Sequence, residues 1–416
     1  MRSLSKRRGL PRAVWDSKVC RTSNRKRASN LFAIATAGAL GSALTHRAAA
    51  AVDTWTGATD TNWLDSNWTG GNNPPISGDS LVFGSQNTQG NTTLTDTLTS
   101  TSFSVAGITF NSGALAYTFG GSAFALAGGI TNNSTAGETI NNAIGLAATQ
   151  TFTTTTGGGN LTLGGVISGN GSVNVAGSGT VTLSNASNTF TGGEVVSSGI
   201  LSIAADGDLG AAPGSVTPTA ITLNGGTLQV TATTSYGFGT INANRGITLG
   251  SAGGTIQVTA VANTGAIGGG NDNSVQYFGV ISGSGNLTIS GGPSTNSTST
   301  PYLFELIAQS TYTGSTSISN AVVTILDHVP GPDSNILPPT TVLNIVNHGI
   351  YNFCTPESQV IAGLTSTGGD TTGSVTVTNG AAAVVLTIDP ATGQTYTFNG
   401  TIGSATILNK TGTADQ

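Results

Sequence analysis

Apolar and polar residues alternate in short stretches along most of this chain. Gly171-Ser172-Val173-Asn174-Val175-Ala176-Gly177, Gly179-Thr180-Val181-Thr182-Leu183-Ser184-Asn185 and Gly199-Ile200-Leu201-Ser202-Ile203 show the pattern. A period of two puts alternate side chains on opposite faces of a strand, so Val, Leu and Ile are expected inside and Ser, Thr and Asn outside. Gly and Asn interrupt the runs at short intervals, where turns need positive φ or close backbone approach. No helix-period segment is visible beyond residue 50.

The stretches also recur in order. Val166-Ile167-Ser168-Gly169-Asn170-Gly171-Ser172 returns as Val280-Ile281-Ser282-Gly283-Ser284-Gly285-Asn286. Asn188-Thr189-Phe190-Thr191-Gly192-Gly193 follows the first copy, and Ser310-Thr311-Tyr312-Thr313-Gly314-Ser315 follows the second. A third, weaker start lies at Asn399-Gly400-Thr401-Ile402-Gly403, which makes the chain stop in mid-repeat at Gln416 and predicts truncation there. Internal repeats, length and the lack of helices favour an all-β, right-handed parallel β-helix or solenoid of Gly/Thr/Asn-rich repeats over an antiparallel sandwich or barrel. Coils of roughly 20 to 25 residues stacked about 4.8 Å apart predict a rod on the order of 70 to 90 Å long.

Charge divides the chain. Eleven of the 13 Lys and Arg residues lie at or before Arg47, whereas from Ala51 onward only Arg245 and Lys410 face seventeen Asp and Glu, a formal charge of 2 − 17 = −15. That excludes nucleic acid as a partner, because phosphates must be met by clustered cations. The basic segment, the apolar run at 31–44 and Ala48-Ala49-Ala50-Ala51 form a secretory signal with an unusually long n-region, and cleavage is expected near Ala50. The apolar run is too short to span a membrane as a helix, so the mature chain is expected to have no transmembrane helix. Cys20 falls in the leader, which leaves Cys354 alone and no intrachain disulfide in the mature chain. The expected organisation is a leader at 1–50, a Trp-containing capping region at 51–110 and a repeat region at 111–416.

The segment from Leu161 through Gly179-Thr180-Val181-Thr182-Leu183-Ser184 to Asp206-Gly207-Asp208-Leu209-Gly210, with Ile221-Thr222-Leu223-Asn224-Gly225-Gly226-Thr227-Leu228, resembles the autotransporter-associated β-strand repeat. Trp55-Thr56-Gly57, Asn62-Trp63, Asn67-Trp68 and Gly78-Asp79-Ser80-Leu81-Val82-Phe83 are similar to the block that commonly precedes such repeats. The resemblance implies an exported passenger or surface protein, commonly a parallel β-helix, with no catalytic residues defined. The chain departs from full autotransporters in showing no carboxy-terminal series of membrane strands.

Candidate chemistry is sparse. A polysaccharide lyase needs cations or metal-bridging Asp clusters, and Arg245 and Lys410 cannot assemble a basic cleft. A glycosidase needs two carboxylates in one groove; Asp206 and Asp208 are the closest pair in sequence, but a Gly-rich turn explains them through local backbone hydrogen bonds. Asp272, Asp327 and Asp333 are the other acids whose convergence would signal an active site. His328 and His348 lack metal-ligand neighbours, and Gly157-Gly158-Gly159 and Gly268-Gly269-Gly270 lack the Lys and helix of a phosphate loop. No cofactor and no metal are expected. Trp55, Trp63 and Trp68 are expected to cap the first coil, with stacking on a glycan as the alternative. The expected function is a non-catalytic, structural or adhesin-like protein, secreted or at the cell surface, whose partners are extracellular glycans or cell-envelope components. The alternative is a carbohydrate-binding or polysaccharide-degrading protein on the same scaffold.

Overall fold

A computed structural model describes residues 50–97, 103–155, 158–231, 241–259, 274–292, 303–320, 322–325, 335–353, 358–377, 383–403 and 405–412. The chain from Ala49 to Gln416 is one compact unit. It is a parallel β-solenoid, in which every pairing between named strands is parallel except that of Val52–Trp55 with Trp68–Gly70. The capping region is continuous with the repeats, since Val52–Trp55 pairs with Ser80–Phe83, which pairs with Gly107–Phe110.

The coil has three faces. One carries a twelve-stranded sheet from Thr93–Thr95 to Gly363–Thr365. Between those strand starts lie 363 − 93 = 270 residues in eleven steps, or about 24.5 residues per coil. At about 4.8 Å per step this sheet alone runs about 53 Å. The second face carries an eleven-stranded sheet, succeeded towards the carboxy terminus by a three-stranded one. The third carries a four-stranded and later a six-stranded sheet.

Alternation along each strand becomes columns along the rod. On the twelve-stranded face, Leu161, Val181, Leu201, Leu228, Ile256, Ile289, Ile318 and Ile345 are successive Cα partners, all with no exposed area. Each such side chain gives roughly 1.5–3 kcal/mol on burial, so the column is a continuous apolar spine rather than a set of local cores. Because register is fixed by that spine, the polar residue between two spine residues is held on the outer face.

The repeated block builds corners. Gly169 and Gly283 have φ of 103° and 107°, and a Cβ there would stand 2.1 Å from Leu146 O and 2.2 Å from Leu249 O of the coil beneath. Only glycine fits such a turn. The second block then lies on the first, with Thr189 and Thr191 N–H donating to Ile167 and Gly169 O, and Thr311 and Thr313 N–H donating to Ile281 and Gly283 O. The first copy stands on the third face and the second copy on the eleven-stranded face. The motif therefore encodes a bend and its stacking partner, and is not tied to one side of the rod.

The two ends differ. At the amino end the antiparallel strand Trp68–Gly70 covers the sheet edge. At the carboxy end Thr406–Lys410 is largely exposed, with Ile407 and Leu408 at 51% and 48%, beside a cavity of about 250 Å³ that Leu364, Ile388, Phe398, Ile402 and Leu408 line.

Candidate functional site

Trp55 ends the first strand, Trp63 sits in the turn after it, and Trp68 opens the covering strand. All three are buried, at 0%, 1% and 3% exposure. Trp55 meets Trp68 edge-on at 5.2 Å and Phe83 at 6.2 Å, while Trp63 packs on Phe103, Phe119 and Phe124 at 6.0–6.3 Å. Trp68 Nε1 donates to Trp63 O at 2.7 Å. The three rings pack into the aromatic core of the first coils. The alternative of glycan stacking through Trp55, Trp63 and Trp68 finds no open ring face, because the aromatic core of the first coils occupies them.

Acidic residues in this region serve the backbone. Asp79 Oδ1 accepts Ala51 N–H at 2.8 Å, and its Oδ2 accepts Ile76 N–H at 2.7 Å and Asn72 Nδ2 at 2.9 Å. Asp53 Oδ1 accepts Asn72 N–H at 2.6 Å, whereas Asp53 Oδ2 has no hydrogen-bond donor. Burial, then the Asp79 carboxylate beside it, raises the Asp53 pKa. Asp79 is also buried, which works upward, but its N–H donors carry it below the ordinary value.

Asp206 and Asp208 lie in the 3₁₀ turn Asp206–Leu209. Asp208 folds back to accept Ala204 and Ala205 N–H at 2.7 and 2.9 Å, the turn role expected of it. Asp206 instead takes Arg245 Nε at 2.9 Å, the one ion pair among the described residues. Arg245 is 2% exposed, and its Nη1 and Nη2 donate to Leu209 O at 2.9 Å and Gly210 O at 2.6 Å. In sequence Arg245 and Lys410 signal only that no basic cleft can be assembled. One of two cations among seventeen acids is the available signal for a buried pairing.

Two further irregularities meet here. Thr217 pairs with Arg245 and Ile221 with Ile247, so the strand Thr217–Leu223 spends four steps where Arg245–Leu249 spends two, a bulge. A cavity of about 300 Å³ opens beside it, with Phe190, Gly192, Pro213, Thr217, Thr219 and Arg245 in its wall. Nearby Glu194 is fully buried between its Cα partners Val173 and Ile221, and neither carboxyl oxygen has a hydrogen-bond partner. Burial pushes its pKa up to about 8, against the opposing pull of the Arg245 charge. Glu138 is the other buried glutamate raised by burial, to about 7; it accepts Tyr117 N–H at 2.7 Å and the Ser134 hydroxyl at 3.2 Å. Sequence pattern gave no warning of either, since both stand at inward positions of ordinary strands.

The outer surface of the twelve-stranded face is a second candidate. Thr93, Thr118, Thr139, Thr162, Thr182, Ser202, Gln229, Gln257, Ser290 and Ser319 succeed one another as Cα partners. Two strand positions away run Thr227, Thr255, Thr288, Ser317 and Asn344. Gln229 Nε2 donates to Gln257 Oε1 at 2.7 Å, and Asn344 Nδ2 to Ser317 Oγ at 3.2 Å. Apart from Ser202, which is buried, the columns present uncharged hydroxyl and amide groups at a fixed spacing.

His348 is exposed at φ 61°, and its backbone N–H donates to Thr372 Oγ1. Among the described residues no group of three or more His, Cys, Asp and Glu could hold a metal, and no helix is long and apolar enough to cross a membrane. Cys20, Cys354, His328, Asp272, Asp327, Asp333, Gly157 and Gly268-Gly269-Gly270 lie outside the described residues. No family model, no curated protein and no solved structure matches the chain.

Proposed function

We propose that this is an exported, non-catalytic, adhesin-like protein of the cell surface or extracellular space, of the kind that autotransporter-type repeats imply. The observation that supports it best is the uncharged hydroxyl and amide array, repeated coil after coil on a rigid frame. Many weak, equivalent contacts on one rod gain avidity without a deep pocket. The natural partners are glycans or other cell-envelope components rich in hydroxyl groups. The acids support the non-catalytic reading, since Asp79 and Asp208 are occupied by backbone donors and Asp206 by Arg245. A carbohydrate-binding role confined to one ligand is favoured only by the cavity beside Arg245.

The test is to fractionate cells that express the full chain, then apply the exported protein to envelope glycans and whole cells. Export with binding that weakens when Thr139, Thr162 and Thr182 are changed to Lys supports the reading. Release of reducing ends from any glycan would replace it with an enzymatic one.

A further inference from the structure

Ala51 N is held 2.8 Å from Asp79 Oδ1, while Ala51 O accepts Ser80 N–H at 2.8 Å. The residue is thus seated in the first coil through both backbone groups. Ala50, one residue earlier, is exposed. The bond between them is the one that the Ala48-Ala49-Ala50 sequence marks for a signal peptidase. Behind Asp79 stands the unpartnered Asp53 Oδ2, itself in a residue with no exposed area. Two buried carboxyl groups therefore share this corner, and among the described residues no cation pairs with either.

We propose that cleavage at Ala50–Ala51 completes the amino-terminal cap, because the new α-ammonium of Ala51 remains where the amide nitrogen stood and forms a buried ion pair with Asp79. The inference rests on the export reading. Hydrolysis breaks the Ala50 C–N bond; water gives its hydroxyl to the Ala50 carbonyl carbon and a proton to the Ala51 nitrogen, and at neutral pH the amine takes a second proton from solvent. One donor becomes three, of which one keeps Asp79 Oδ1 and the others are free to serve the Asp53 and Asp79 oxygens. The raised Asp53 pKa agrees with a corner still short of one positive charge. Processing supplies that charge in a chain whose only other cations after residue 50 are Arg245 and Lys410.

The same scarcity makes the test direct. In the Lys410→Arg variant the mature α-amine is the one primary amine on the chain. The full chain is exported from a bacterial host, the product's first residue is read by amino-terminal sequencing, and its acetylation rate near neutral pH is compared with that of an unstructured Ala-Val-Asp peptide. The expected product starts at Ala51 and reacts about tenfold more slowly for each pH unit by which the ion pair raises the amine pKa. Urea restores the peptide rate. Asp79→Asn is expected to restore it without urea, and Asp53→Asn, which keeps Asp79, to leave the amine protected. A product that starts at Ala51 but reacts like the peptide overturns the seating and leaves export standing, as does a product that starts elsewhere. Full chain retained uncleaved in the cytoplasm overturns both.

Discussion

Glu194 is the residue with most to gain from replacement. Its folded pKa, about 8, lies above the unfolded carboxyl value of about 4.3, so the native state holds a proton that the unfolded state releases. Stability therefore falls as pH rises through the window between those values. At pH 7 the penalty is on the order of 4 kcal/mol at about 1.4 kcal/mol per unit. Glu194→Gln should flatten that slope, and Glu194→Leu should in addition remove the unpartnered polar atoms, so both raise the urea midpoint at pH 7. A midpoint that falls in both variants would mean that the carboxyl has a partner worth keeping. Arg245 behaves in the opposite sense. Asp206→Ala strands a buried guanidinium, and a loss of about 3–5 kcal/mol is expected in the same measurement.

At the scale of the strand and turn, the repeated blocks are where sequence and structure agree most closely. The alternation in Val173–Gly177 and Thr180–Leu183 gave their inward and outward residues directly, because a period of two leaves no other choice when one face is buried. The corner glycines were visible as repeats, but their reason lies in the coil beneath. Gly169→Ala and Gly283→Ala should each cost more than about 1 kcal/mol, since both strain φ and drive a methyl group into a carbonyl. Equal losses by chemical denaturation in the two variants would show that the motif acts alike on two different faces. Trp63 is a fully buried ring ahead of the first repeat, and Trp63→Ala should cost about 3–5 kcal/mol. What the sequence could not disclose was contact across coils. Asp206 reaches a residue 39 positions away, and Ala51 one that is 28 away. No local pattern records such distances, because coil length here varies from one turn to the next.

Across the whole molecule, each coil touches chiefly its two neighbours, so stability is a sum of nearest-neighbour terms and the ends decide where loss begins. Trp55, Trp63 and Trp68 are buried in the first described coil, whereas Thr406–Lys410, the last described strand, is largely exposed. Hydrogen exchange should accordingly be fastest in the last strands and slowest in the middle of the twelve-stranded sheet. Uniform protection from end to end would show that the rod melts as one block. The stacking direction carries a mechanical consequence as well. The bonds between coils run along the rod, so tension applied to its tips loads them in series and peels the frayed tip first. Every coil of about 24.5 residues that comes away yields about 80 Å of slack at roughly 3.3 Å per residue, against the 4.8 Å it occupied when wound. Stretched between two surfaces, such a molecule would act as a spooled tether that lengthens in steps set by the length of each coil rather than snapping free.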